Sequence, residues 1–126
     1  MRRLPVLCAL GLTLAAAACD TSPKAPSEPG VCYEVVLLPG NKTRINEVAK
    51  NQPNIENCAA RLEAMRLAFL RLGGNRSEIV GAYQGQYIFV QISGIFVGKT
   101  LTSIRYPALV RTGDGRLAIP GAMPQR

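Results

Sequence analysis

One helical segment set among short β-rich runs predicts an α+β fold, with an amphipathic helix packed on a mainly antiparallel sheet of about four to five strands. Three observations carry this expectation. Residues 53–72 repeat apolar side chains at the helical period. From residue 78 onward, short apolar runs alternate with Gly-containing turns. The chain has 126 residues, of which 48% are hydrophobic, so it suffices for one small domain and is not disordered throughout.

Val31 to Leu38 (VCYEVVLL) is apolar and β-branched and predicts a strand, which Pro39-Gly40 ends. Residues 41–52 are polar and ambiguous, with a short helical turn around Ile45 to Lys50 as the expectation. A helix is predicted from Pro53 to Leu72. Pro53 suits a first helical position, Glu56 suits the positive end of the macrodipole, and Gly73-Gly74 supplies the stop. At 100° per residue, Ile55, Cys58, Ala59, Leu62, Met65, Phe69 and Leu72 share one apolar face. Arg66 projects into that stripe. Its stem can pack there while its head reaches solvent or Glu63 at i−3, and a buried anion contact is the competing reading. Glu78–Tyr83 and Tyr87–Ile92 flank Gln84-Gly85-Gln86 as a hairpin, and Ser93-Gly94 turns into Ile95–Val97. A further strand is expected over Leu101–Tyr106. Leu109–Arg111 and Arg116–Ile119 flank a turn at Thr112–Gly115.

The composition removes much chemistry. There is no His, so the commonest general base and the commonest metal ligand are both missing. No metal site and no cofactor are expected. Gly94-Ile-Phe-Val-Gly98-Lys99-Thr100 resembles a phosphate-binding loop but has three residues where four are needed between the first Gly and Gly-Lys-Thr. No helix is predicted after it, so a strand turn is the expectation. The carboxylates form no recognisable acid–base pair along the chain. A non-enzymatic protein is therefore expected.

Charge is uneven. Residues 64–126 carry eight basic and two acidic residues, net +6, whereas residues 19–63 are net −1. Such asymmetry favours anionic partners. Arg105, Arg111 and Arg116 are the candidates for a basic surface, set against a reading in which the charges are simply dispersed and solvated. Tyr83, Tyr87, Phe89, Phe96 and Tyr106 cluster in the same half. Cross-strand packing is their default role, and a recognition surface is the alternative.

The amino terminus has its own pattern. Arg2 and Arg3 precede an uncharged run from Leu4 to Ala18, too short to span a bilayer that needs about 20 apolar residues. The run ends in Ala15-Ala16-Ala17-Ala18 before Cys19. Residues 1–20 resemble a bacterial lipoprotein signal, with Ala16 where that pattern usually has Leu. The resemblance implies removal of residues 1–18, a diacylglyceryl thioether and an acyl group such as palmitate on Cys19, and attachment to a membrane of the cell envelope on the periplasmic side. Asp20 weakly favours the inner membrane. Plain secretion after Ala18 is the alternative and would leave three cysteines. With Cys8 removed and Cys19 lipidated, Cys32 and Cys58 are left in an oxidising compartment, where a single pairing is available. The expected disulfide stabilises by roughly 3–4 kcal/mol on the chain-entropy account. Residues 19–30 then form the lipidated Cys and a Pro-rich tether, and residues 31–126 the stapled domain.

Together these readings give the expectation of a membrane-anchored envelope lipoprotein that binds or scaffolds without catalysis. Its partners would be the membrane, through Cys19, and an acidic envelope protein, an anionic polymer or lipid headgroups. Nucleic acid is not an expected partner of an exported protein. An inhibitor or small-ligand binding module is the alternative, and a carboxylate-dependent enzyme a more distant one.

Overall fold

A computed structural model of the chain describes residues 23–75, 78–114 and 116–120. The expected signal over residues 1–18 and the lipidated Cys19 lie outside the described residues. The elements run β1 (Cys32–Leu38), β2 (Lys42–Ala49), α1 (Ile55–Arg71), β3 (Ile79–Tyr83), β4 (Gln86–Gln91), β5 (Gly94–Gly98), β6 (Tyr106–Arg111) and β7 (Leu117–Ala118). All strand pairs are antiparallel, in the order β2-β1-β3-β4-β5-β6-β7. The helix lies on one face, so the fold is α+β.

The sheet has seven strands rather than the expected four to five. Residues 42–49 form β2 and not a helical turn. β2 is an edge strand that pairs only with β1 and buries none of its residues fully, so it shows no clean apolar alternation. The strand expected over Leu101–Tyr106 does not form. Thr100 and Ser103 bind each other's backbone instead: the Ser103 amide donates to Thr100 Oγ1 at 2.9 Å and the Thr100 amide to Ser103 Oγ at 3.1 Å. β6 begins only at Tyr106.

The helix start also differs, by two positions: the first helical residue is Ile55 and not Pro53. Asn54, not Pro53, sets it: Asn54 Oδ1 accepts from the Asn57 amide at 2.9 Å, which satisfies one of the unpaired amides of the first turn. The end is the expected glycine stop. The Gly74 amide donates to Phe69 O and the Gly73 amide to Leu70 O, with Gly73 at φ 85°. Burial on α1 stops at Arg66, so Phe69 and Leu72 are exposed where the periodicity predicts burial.

Two apolar layers sandwich the sheet. On the α1 side, Cys58, Ala59 and Leu62 pack against Cys32, Ile79, Ile88, Val90, Ile95 and Leu109. The disulfide Cys32–Cys58, with a Cα–Cα distance of 5.3 Å, ties the start of β1 to the first turns of α1. The approach is close at Gly81. A Cβ there would stand 2.2 Å from Leu62 Cδ1 and 2.7 Å from the Tyr33 carbonyl oxygen.

On the far side, Val35, Val80, Ala82, Tyr87 and Phe89 form a second layer, covered in part by Ala25, Phe96 and Leu101. Residues 23–30 thus lie on the sheet and do not form a free spacer. Tyr87 Oη donates to Pro23 O at 2.7 Å, the Gly85 amide to Pro26 O at 2.9 Å, and the Gly30 amide to Gln84 Oε1 at 2.9 Å. The docking point is the two-residue turn Gln84-Gly85. Both residues have positive φ (44° and 85°), the geometry of a tight hairpin turn that follows the strand twist.

Candidate functional site

The three candidate arginines occupy three different environments. Arg111, near the end of β6, points to the α1 side. Its Nη1 and Nη2 donate to Glu63 Oε1 and Oε2 at 2.6 and 3.0 Å. Its Nε and Nη2 also donate to the carbonyls of Ile92 and Gln91. The second partner of Glu63 is Arg66, whose Nε and Nη2 donate to the same two oxygens at 3.0 and 3.1 Å. Glu63 and Arg66 are buried. Burial pushes the Glu63 carboxyl up, but the hydrogen bonds and charges of Arg111 and then Arg66 outweigh it and hold the group below its ordinary value. The cluster joins α1, β6 and the β4–β5 turn. The head of Arg66 does reach Glu63, but inside the protein and not at its surface.

Arg116 lies on the β7 side of the last turn, strongly exposed, with its Nε 3.6 Å from Asp114 Oδ2. Hydrogen bonds from Thr112 and from the Arg116 amide lower the Asp114 carboxyl below its ordinary range. Arg105 is on the opposite side of the sheet from α1. Its guanidinium carbon sits 3.5 Å from the centre of the Phe89 ring, a cation–π contact that closes the far layer. Arg105 and Arg111 therefore face opposite sides of the sheet, and the three arginines form no common surface.

Carboxylate chemistry finds little support in the geometry. Glu63 is occupied by two guanidinium groups. Glu34 accepts from Asn46 Nδ2 at 3.0 Å, and Glu78 from Gln91 Nε2 at 2.6 Å. Among the described residues, no group of three or more His, Cys, Asp or Glu side chains converges on a metal position. The segment Gly98-Lys99-Thr100 ends β5 and enters the Thr100–Ser103 turn, with no helix after it.

That turn nevertheless builds the most distinctive surface. Two open clefts meet at Lys99. One, of about 460 Å³, is lined by Gln86, Val97, Lys99, Ser103, Ile104 and Tyr106. The other, of about 400 Å³, is lined by Pro23, Lys24, Ala25, Gly85, Lys99 and Thr100. Ile104 is 74% exposed and Tyr106 62% exposed. Of the five clustered aromatic residues Tyr83, Tyr87, Phe89, Phe96 and Tyr106, the first three are buried and Tyr106 alone is strongly exposed. Burial raises the Tyr87 phenol above its ordinary value while its hydroxyl holds Pro23. The two clefts open on opposite sides of the sheet: Tyr106 pairs with Val97, which packs on the α1 side, whereas Ala25 and Arg105 belong to the far layer, and Lys99 borders both. The sequence marks Arg105, Tyr106 and, through the Gly98-Lys99-Thr100 turn at the end of β5, Lys99; it carries no signal for Lys24 or Ile104.

Among the described residues, no helix is long and apolar enough to cross a membrane. No family model matches the chain, no curated protein matches it, and no solved structure matches its fold.

Proposed function

We propose that the protein is a lipid-anchored module of the bacterial cell envelope, on the periplasmic side, that binds an anionic envelope component and performs no catalysis. The observation that carries this reading is the amino-terminal pattern: Arg2-Arg3, the apolar run to Ala18, and Cys19 directly after four alanines. The disulfide Cys32–Cys58 supports it, since such a bond persists in an oxidising compartment. The occupied buried carboxylates favour binding over acid–base chemistry.

Intact-mass measurement of protein extracted from envelopes tests the anchor. The expected species begins at Cys19 and carries diacylglycerol plus an acyl chain, and it moves with the detergent phase on phase separation. A Cys19→Ala variant is expected to accumulate with its signal retained. A wild-type species with an unmodified Cys19 would refute the reading.

A further inference from the structure

We propose that β2 is a pairing edge, and that its partner is β2 of a second copy of this chain, joined antiparallel about a twofold axis at Ile45.

The backbone makes the opening. An edge strand leaves the N–H and C=O groups of every second residue pointing out of the sheet. Among the described residues, only β1 hydrogen-bonds the β2 backbone. The two margins of the sheet differ in what they offer. β7 has two residues, whereas β2 has eight, uninterrupted by proline and long enough for a ladder.

The side chains choose the partner. In a symmetric antiparallel pair, the residue on the axis faces its own copy, and residues equally spaced on either side of it face each other. A centre at Arg44 or Glu47 sets like charges directly opposite, and a centre at Thr43 sets Lys42 against Arg44. A centre at Asn46 sets Glu47 against Ile45 on both sides of the axis. Of the centres from Thr43 to Glu47, only Ile45 avoids these faults. Ile45 then meets Ile45, Arg44 meets Asn46 and Thr43 meets Glu47. Lys42 falls at the outer end, opposite Val48, where its ammonium reaches water.

Packing favours the same centre. Ile45 pairs with Val35 of β1, a member of the far layer, so Ile45 carries that layer to the margin of the sheet. It is 37% exposed there. Pairing covers Ile45 with its copy and continues the apolar layer from one protomer into the next. A twofold axis normal to the sheet also keeps both copies of α1 on one side and both copies of residues 23–30 on the other. Two chains held by one membrane can therefore pair without either turning over. This agrees with the anchor proposed above, and the pairing does not depend on it.

The test is sedimentation of protein purified from envelopes in detergent, with micelles in large excess, across a wide range of protein concentration. A monomer–dimer equilibrium is expected. Ile45→Arg sets two guanidinium groups opposite each other on the axis and is expected to weaken the dimer by about tenfold. Thr43→Lys sets a lysine opposite Glu47 twice per dimer and is expected to tighten it by about fivefold, although it adds positive charge. No other centre makes that pair. Arg61→Glu, on the exposed side of α1, is expected to change nothing. The thermal midpoint of each variant, taken at low concentration, checks that the monomer still folds. A monomer at every concentration would overturn the pairing. A dimer indifferent to both β2 variants would overturn this interface. A chain that sediments with a different polypeptide, released by Ile45→Arg, would overturn the second copy as the occupant of the edge.

Discussion

On the α1 side of the sheet, closure is by side chains: Leu62 reaches Gly81, the disulfide joins α1 to β1, and Glu63 joins α1 to β6 across 48 residues of sequence. On the other side, closure is by a strap of extended backbone, residues 23–30, held by hydrogen bonds to Tyr87, Gly85 and Gln84, and by Arg105 stacked on Phe89. The first kind opens only when the fold opens. The second can lift locally, because it rests on a few bonds near the surface and on partly buried groups such as Ala25. The two sides of one sheet thus differ in how they open: the α1 side with the whole fold, the strap side by itself.

The comparison breaks most decisively at Glu63. Glu63→Gln leaves two guanidinium groups near one neutral amide, and the expected loss is about 3 to 5 kcal/mol, read from urea denaturation. The same residue sets an acid limit. Its carboxyl is held below the ordinary 4.5, so its stabilisation is complete above about pH 4.5 and is lost as pH falls through the lower folded value. The gap between wild type and Glu63→Gln is expected to narrow from pH 7 toward pH 3, measured as the difference in urea midpoints.

Opening the disulfide comes next. Replacing both Cys32 and Cys58 by Ala is expected to cost about 3.5 kcal/mol on the chain-entropy account of a 26-residue separation. Gly81→Ala follows, at about 1 to 3 kcal/mol, because the added methyl meets Leu62 and the Tyr33 carbonyl. Its thermal midpoint checks this. The smallest effect belongs to the strap side. Tyr87→Phe removes the bond to Pro23, and global stability is expected to fall by about 1 kcal/mol or less. Amide exchange at Gly85, which donates to Pro26, is expected to quicken by more than exchange at Val90. Equal quickening at both amides would show that the strap and the sheet open as one unit.

The helix and the hairpins were legible because they are local. Periodicity, a glycine stop and the Gln84-Gly85 turn all act within a few residues. The Cys32–Cys58 pair was legible for a related reason: an inward-facing helical cysteine and one at a strand start suit a single contact. What stayed hidden depends on distant partners. β2 hid because an edge strand pairs on one side and buries little. Arg111 reads as a surface cation until β6 is placed beside α1, where Glu63 waits 48 residues away. The strap hid because proline-rich polar sequence gives no periodic signal. Only the Tyr87 hydroxyl and the Gly85 amide, some 60 residues downstream, define its seat.

That seat decides where mechanical load enters the molecule. Tension on the amino-terminal end arrives at Pro23 and Pro26 and passes to the turn joining β3 and β4, the third and fourth strands of seven. A pull therefore reaches the middle of the sheet before its margins. The outer strand β2 lies off that path, and the strap is expected to part before any strand does.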